Sequence, residues 1–242
     1  MIGPKIGFDY RIHRGDMDMA AAIWLKEGTL GPARLQSEMG HVLGAGSRKK
    51  AITVLSRLWT RPQWKEGLGR ELLQQVLNHD REVAYWGLLM VAYPFVAQGA
   101  SDIGRLLMIQ DDLTTRHVNQ AVFRRLGESE KVRVATRKLL NTLVDWRALV
   151  RRGRGVYMAA PLHVTRNAIE TAFLTYCALT VEEATRLTLR DIEHLPWLFP
   201  FKVRISPRDF DQVHAFSLEQ SGPHDLKVGI VRYGCVGKQG GE

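Results

Sequence analysis

The stretch Glu130–Ala160, EKVRVATRKLLNTLVDWRALVRRGRGVYMAA, predicts a helix that leads directly into a β-hairpin. Apolar residues recur at helical spacing in its first half and define one stripe, formed by Val132, Ala135, Leu139, Leu143 and Trp146. Its second half consists of two short segments, ALVRR and VYMAA, which are joined by GRG and followed by Pro161. We therefore expect a helix with one buried and one exposed face, and a hairpin beside it.

Two shorter helices are predicted just before this stretch. SDIGRLLMIQ begins with Ser101 as a helix N-cap, and TTRHVNQAVFRRLG ends at Gly127, a residue that commonly stops helices. Three helices followed by a hairpin are the order of elements in a winged helix-turn-helix. We predict this fold for residues 101–160.

Positive charge is concentrated in the same region. The whole chain of 242 residues has a formal net charge of +9. The segment from Arg124 to Arg154 contains ten basic and three acidic residues, which is a net charge of +7. A charge run is usually a solvated face, but here it coincides with a fold that fits the major groove of DNA. We therefore predict that this segment binds double-stranded DNA.

The predicted DNA contacts divide between the helix and the hairpin. On the helix, Arg and Lys side chains can bond guanine, Asn can bond adenine, and Thr can contact a phosphate or a thymine methyl group. In the hairpin, arginines neutralise phosphates, and the glycines let the main chain approach closely. The candidate DNA-binding residues are Lys131, Arg133, Thr136, Arg137, Lys138, Asn141, Arg151, Arg152 and Arg154.

The remaining sequence predicts a mainly α protein with a C-terminal α+β part. Residues 1–100 read as a helical bundle, in which the apolar run Val83–Ala97 is the central buried helix. Residues 161–242 predict a helix at 162–179 and a second helix capped by Thr180 and Glu183. Three short strands follow, FKVRIS, HAFSLEQ and LKVGIVR, and the last residues, GKQGGE, read as a frayed tail.

No membrane segment, signal peptide, cofactor or metal site is expected. The apolar run from Val83 contains Pro94 and is shorter than the roughly 20 residues that span a bilayer. Two cysteines without a ligand pattern fit a reducing cytosol, so we expect a cytoplasmic protein. There is no HExxH, P-loop or GxSxG motif, and Asp111-Asp112 reads as a helix-capping turn. We therefore expect a protein that is not an enzyme.

The segment ATRKLLNTLVDWRALVRRGRGVYMAAP resembles the recognition helix and wing of bacterial winged-helix regulators of the GntR type. Such regulators have a helix with spaced leucines, then basic residues, a glycine-bracketed turn and an aromatic strand. The resemblance covers about 30 residues and implies the same arrangement of helix and wing. Trp146-Arg147 stands where those regulators often have a glycine.

The organisation of the whole chain resembles the BrxA family of bacterial BREX phage-exclusion systems. The likeness lies in ARLQSEMGHVLGAGSRKKAITVLSRLW, in the central winged helix and in LFPFKVRISPRDFDQVHAFSLEQ. It implies a non-catalytic, cytoplasmic DNA-binding accessory protein that acts in antiviral defence beside a methyltransferase and ATPases. It also implies a first helical domain similar to the NusB fold.

Two other functions stay open at the level of sequence. A winged helix can dock a protein partner, so the chain could be a scaffold or adaptor subunit. A metal-dependent nuclease would need separated carboxylates near a lysine, for which Asp209, Glu219 and Lys227 are the candidates. Duplex RNA is less favoured than DNA, because the major groove of A-form RNA does not admit a helix.

Overall fold

The computed structural model describes residues 6–39, 44–161, 163–211, 213–222 and 225–231, and is mainly helical with small sheets toward the C-terminus. The helices are α1 (Arg14–Glu27), α2 (Pro32–Glu38), α3 (Ala45–Trp59), α4 (Gly67–His79), α5 (Arg81–Ala92), α6 (Pro94–Leu107), α7 (Thr115–Leu126), α8 (Glu130–Asp145), α9 (Ala168–Val181) and α10 (Leu189–Glu193). The strands are β1 (Asp112–Thr114), β2 (Leu149–Gly153), β3 (Val156–Ala159), β4 (His163–Val164), β5 (Arg186–Thr188), β6 (Phe201–Lys202), β7 (Phe216–Gln220) and β8 (Leu226–Ile230). Short 3-10 helices cover Pro62–Trp64, Pro196–Leu198 and Pro207–Phe210.

The apolar run that predicted one central helix forms parts of two, α5 and α6, which meet at Pro94. A proline disfavours the helical conformation of the residue before it, and Tyr93 is accordingly extended, with φ −129° and ψ 92°. The two helices bend by 116° at this break. No helix in the described part of the chain is by itself long and apolar enough to cross a bilayer, although this bent pair passes the same test of length and composition.

The helix predicted to begin at Ser101 begins instead at Pro94. The Ser101 hydroxyl donates a hydrogen bond of 2.9 Å to the carbonyl oxygen of Ala97, one turn earlier in the same helix. Both residues are plausible helix starts, but the apolar face of α6 continues through Ile103 and favours the longer helix. The predicted domain boundary after residue 100 therefore falls inside α6.

One continuous hydrophobic core joins the three predicted regions. The indole nitrogen of Trp86 in α5 donates to the carbonyl oxygen of Trp197, at 2.9 Å. Gly87, one residue further along α5, leaves room for Phe173 and Cys177 of α9, which would lie 2.4 and 2.7 Å from an added Cβ atom. The C-terminal helix α9 is thus packed into the helical first half of the chain, and not into a separate domain of its own.

The hairpin β2–β3 belongs to a three-stranded antiparallel sheet of order β1-β3-β2. Strand β1 was not predicted from the sequence, which placed a helix-capping turn at Asp111-Asp112. Asp112 is instead the first residue of β1, and Leu113 pairs with Tyr157 of β3. The N-cap of α7 is Thr114, whose hydroxyl accepts a hydrogen bond from the backbone of His117 at 3.1 Å.

The connectivity around α6 recurs in the C-terminal part at a fixed shift in sequence. Helix α6 starts at 94 and α9 at 168, β1 starts at 112 and β5 at 186, and α7 starts at 115 and α10 at 189, each a shift of 74 residues. The second sheet has the order β5-β8-β7, which matches β1-β3-β2 strand for strand. Residues 113–118, LTTRHV, correspond to residues 187–192, LTLRDI. We refer to residues 94–159 as the first repeat and to residues 168–230 as the second repeat.

Several C-terminal predictions are corrected by the second repeat. Thr180 lies inside α9 and Glu183 follows the helix with φ 51°, so neither starts a helix. The helix of this segment is the short α10, and its N-cap is Thr188. FKVRIS forms a strand only at Phe201–Lys202, because Ile205 already bonds through its backbone to Glu193 and leaves the sheet. Arg232 of LKVGIVR and the tail GKQGGE lie outside the described residues.

Candidate nucleic-acid interface

Helix α8 has one buried and one exposed face, as its sequence predicts. Ser129 caps its first turn by accepting a hydrogen bond from the backbone of Val132 at 3.3 Å. The predicted apolar stripe is buried, with Val132, Leu139 and Leu143 no more than 1% exposed. Exposed and partly exposed positions cover an arc of about 160° on the opposite side, centred near Asn141. This arc contains four predicted cations, Lys131, Arg133, Arg137 and Lys138.

The C-terminal end of α8 is fixed against the segment that precedes α1. The Thr142 hydroxyl accepts a hydrogen bond from the backbone of Ile12 at 3.1 Å, and the Trp146 indole donates one of 3.1 Å to the Ile12 carbonyl. The Asp145 carboxylate accepts from the backbone of Arg14 at 2.9 Å. These contacts hold the end of the helix, while its basic N-terminal half stays exposed.

Arg147 adopts the left-handed conformation at the turn from α8 into β2. Its φ is 56°, and the backbone of Ala148 donates a hydrogen bond of 2.9 Å to the Leu143 carbonyl. This is the Schellman arrangement in which glycine is the usual residue. The arginine thus takes the glycine conformation at the position where the sequence departs from the GntR-type pattern, and the tight turn is kept.

The hairpin tip lies against the start of α7. Gly155 has φ 74°, and its carbonyl oxygen accepts a hydrogen bond of 2.9 Å from the backbone of Thr115. A Cβ atom on Gly155 would lie 3.2 Å from the Thr115 hydroxyl, so this position favours glycine for its conformation and its close contact. The hairpin is therefore held beside α7 and α8.

Eight of the nine predicted DNA-binding residues lie on this surface at least partly exposed. Thr136 is the exception, because its side chain is 0% exposed and its hydroxyl donates a hydrogen bond of 3.0 Å to the Val132 carbonyl. A side chain buried in this way cannot reach a phosphate or a base, so the prediction for Thr136 is wrong. Thr136 borders the apolar stripe of α8, and the elements that pack on this helix bury it.

The cations of this surface differ in how they are held. Arg151 donates a hydrogen bond of 3.0 Å to the Asn141 amide oxygen and lies 5.6 Å from the centre of the Tyr157 ring. Arg152 is 3.6 Å from the Asp112 carboxylate, and Arg133 pairs with Glu128. These exposed pairs contribute little to stability and exchange readily for other anions. Within the described ranges, no hydrogen bond or ion pair is made by the side chains of Lys131, Arg137, Lys138 and Arg154.

Arg125 of the basic segment has a different role. It forms an ion pair with Asp102 of α6, and the Asp102 side chain is about nine-tenths buried. Burial raises the pKa of the Asp102 carboxyl, while the charges of Arg125 and Arg105 oppose that shift. Arg125 thus joins α7 to α6. It is not available for a ligand in the way that the unpaired cations of α8 are.

Sequence reasoning did not single out Arg116 or Arg147 as contact residues. Both are exposed, Arg116 directly after the threonine that contacts the hairpin tip and Arg147 at the start of the hairpin. The repeated segment LTxR, at 113–116 and 187–190, is the signal that could have drawn attention to Arg116.

The nuclease candidates make contacts within the fold. Asp209 accepts a hydrogen bond from the backbone of Ser206 at 2.8 Å and caps a short 3-10 helix. Glu219 pairs across the sheet with Lys227 and forms an ion pair with Arg186. In the portion of the chain that the structure describes, no group of three or more His, Cys, Asp or Glu residues could hold a metal ion.

The fold and this surface define a mainly helical protein with a cationic face made of one exposed helix and one hairpin. No protein-family model, curated protein or solved structure matches the chain.

Proposed function

We propose that this protein binds duplex DNA, without catalysing a reaction on it, through a winged helix-turn-helix formed by the first repeat. The order of elements supports this assignment, with α6, β1, α7, α8 and then the hairpin β2–β3. The observation that carries the proposal is the placement of seven exposed or partly exposed cations on α8 and the hairpin. They are Lys131, Arg133, Arg137, Lys138, Arg151, Arg152 and Arg154.

Two parts of this surface serve different purposes in the proposal. Helix α8 enters the major groove, where Arg137 and Asn141, near the middle of its exposed arc, bond the edges of bases. The hairpin lies over the adjoining backbone, where Arg151, Arg152 and Arg154 neutralise phosphates. The hairpin therefore supplies affinity, and the helix supplies any preference for sequence.

Titration of duplex binding with salt tests the proposal. Replacement of a counterion by each phosphate contact makes log K fall with log salt, with a slope of about −0.9 per contact on duplex DNA. Changing Arg151, Arg152 and Arg154 to Ala should reduce the steepness of that slope by about 2.7. A matched control changes three exposed lysines outside this surface, Lys49, Lys50 and Lys65, to Ala. Binding that is absent at low salt, or insensitive to salt, contradicts the proposal.

A second candidate function is the docking of a protein partner, and one observation favours it. Met108 and Ile109, in the turn between α6 and β1, are 73% and 79% exposed. Two adjacent apolar side chains at this exposure are better suited to a protein surface than to a phosphate backbone. Co-purification of a defined partner that is lost in Met108→Ser/Ile109→Ser, but kept in the triple arginine variant, would favour docking over DNA binding.

The setting that we propose for this DNA binding is a BREX phage-defence system, in which the chain is a cytoplasmic accessory protein and its helical first part is similar to the NusB fold. The proposal rests on the resemblance in sequence to the BrxA family. The genes that neighbour this one test it directly, because a methyltransferase gene and ATPase genes should lie beside it. Co-expression with those gene products then tests for a physical complex.

A further inference from the structure

A second cationic surface lies on the paired strands β4 and β6. These strands are parallel, and Val164 pairs with Lys202. Along the second strand and its continuation, Phe201 and Val203 are buried while Lys202 and Arg204 are exposed. Since alternate residues of an extended chain point to opposite sides, Lys202 and Arg204 share the outward side.

Arg166 extends this surface from the other strand. The backbone of Arg204 donates a hydrogen bond of 3.5 Å to the Thr165 hydroxyl, which places the segment after β4 alongside the segment after β6. Arg166 is exposed, and its hydrogen bond to Glu170 is donated by the backbone and not by the guanidinium. For the residues that the structure describes, Arg166, Lys202 and Arg204 have no ion pair. We call these three residues the β4–β6 cations.

Two adjoining grooves connect Arg166 to the hairpin β2–β3. A groove of about 500 Å³ has Arg147, Arg151, Pro161 and His163 among its lining residues. A second groove, of about 420 Å³, shares Pro161 and His163 and continues to Thr165 and Arg166. The two grooves therefore run from the end of α8 and the hairpin to Arg166, one of the three β4–β6 cations.

The carboxylates in these grooves are already engaged within the fold. Glu82 forms an ion pair of 2.8 Å with Arg14, and Asp80 caps α5 by accepting hydrogen bonds from the backbone. Glu170 is 3% exposed and accepts hydrogen bonds from the Arg166 backbone and the Asn167 side chain. The hydrogen bonds and the ion pair of these carboxylates partly compensate their negative charge. Among the described residues, the β4–β6 cations are exposed to solvent and make no ion pair.

The repeat explains why cations remain here and not in the second hairpin. Strand pairing aligns Arg151 of β2 with Leu218 of β7 and Gly153 with Glu219, while Arg152 lies at the bulge between them, so strand β7 has no arginine where β2 has two. In the order of elements along the chain, the segment between α10 and β7 corresponds to α8 of the first repeat, and it contains Lys202, Arg204 and Arg208. The second repeat thus has basic residues in the part of the chain that corresponds to α8, although it forms no such helix there.

We propose that Arg166, Lys202 and Arg204 form a second phosphate-binding surface, which lengthens the contact with the same DNA duplex beyond the hairpin. This inference rests on the proposed function and adds a second binding site to it. An extended strand pair suits the backbone of DNA, because it offers charges in a row and does not need to enter a groove. The surface contributes affinity on long duplexes without any preference for sequence.

Duplexes of two lengths test this inference. We would compare the wild type with Arg166→Ser/Lys202→Ser/Arg204→Ser on duplexes of about 12 and about 30 base pairs, since each base pair adds about 3.4 Å. On the long duplex the variant should lose up to about 2.7 from the salt slope, and on the short duplex the two proteins should have the same slope. The control is Lys49→Ser/Lys50→Ser/Lys65→Ser, which removes the same charge elsewhere and should leave both slopes unchanged.

A second measurement uses the wild-type protein and does not depend on the folding of a variant. Lys202 should be protected from amine acetylation by the long duplex and not by the short one. If the long-duplex slope of the triple variant equals that of the wild type and Lys202 stays reactive, the second surface is excluded while the proposed function stands. If the wild type binds neither duplex, the proposed function fails, and this inference fails with it.

Discussion

The guanidinium of Arg151 donates a hydrogen bond of 3.0 Å to the amide oxygen of Asn141. This contact joins the centre of the exposed face of α8 to the first strand of the hairpin, across ten residues of sequence. Among the described residues the Asn141 amide nitrogen makes no hydrogen bond. The same side chain can therefore orient the arginine and still offer a donor to a base. The helix and the hairpin are therefore coupled through the residues that are proposed to contact DNA.

This coupling leads to a prediction about sequence preference. Arg137→Ala or Asn141→Ala should change which duplex is preferred, at a cost of about 1–3 kcal/mol on the preferred site, because each removes a group that can bond base edges. Selection from a pool of random duplexes, followed by binding measurements on the selected site, checks this. Arg154→Ala is the matched control and should weaken all sequences similarly. An unchanged selected site in both helix variants would mean that α8 does not read bases.

The left-handed turn after α8 gives a prediction about stability. Arg147 has φ 56°, a conformation that costs residues with a Cβ atom about 1 kcal/mol relative to glycine. Arg147→Gly should therefore raise the free energy of unfolding by up to about 1 kcal/mol, measured by urea denaturation. Arg133→Gly, in the interior of α8, should instead lower it by about 1 kcal/mol. Destabilisation by Arg147→Gly would show that the arginine side chain matters more than its backbone strain.

Two helical glycines should respond in opposite directions to alanine. A Cβ atom on Gly104 of α6 would lie 2.0 Å from the Pro196 carbonyl oxygen, whereas one on Gly15 of α1 meets nothing within 4 Å. Gly104→Ala should destabilise the protein by about 1–3 kcal/mol or more, because backbone must move away. Gly15→Ala should be neutral or stabilising by up to about 1 kcal/mol. Thermal denaturation of both variants compares them, and a neutral Gly104→Ala would contradict the packing of α6 on Pro196–Leu198.

The Asp102 carboxyl predicts a pH dependence of stability. Because burial raises its pKa above the ordinary 3.8, the folded protein holds this proton at a pH where the unfolded chain has released it. The free energy of unfolding of the wild type, relative to Asp102→Asn, should therefore fall as the pH rises from 3.8 through the folded pKa, and stay level above it. Urea denaturation across that range measures the difference. A relative stability that rises with pH would mean that the Arg125 pair outweighs the burial.

Much of the candidate site could be predicted because its signals are local. The stripe from Val132 to Trp146 and the glycines of the hairpin act over a few residues, and α8, β2 and β3 follow them closely. The end of α7 at Gly127 was predicted correctly for the same reason. Thr136 could not be assigned in this way, since it borders the apolar stripe and only the packing of other elements on α8 decides that it is buried.

Other elements depend on partners that are distant in sequence. Strand β1 is three residues long and exists because Leu113 pairs with Tyr157. A segment this short has no periodicity of its own to recognise. The repeat was hidden in a similar way, because its two copies share few side chains and are related by connectivity and strand order.

The sequence by itself determined the helix α8, the hairpin and the concentration of positive charge on them, since helical periodicity, glycine turns and net charge are properties of neighbouring residues. The tertiary structure decided which of the described cations make ion pairs, that α6 begins at Pro94, and that Arg166, Lys202 and Arg204 are exposed on the adjoining β4 and β6 segments. Those properties depend on pairing and packing between segments separated by tens of residues. The free energy of such contacts is set by the fold as a whole and not by any local pattern.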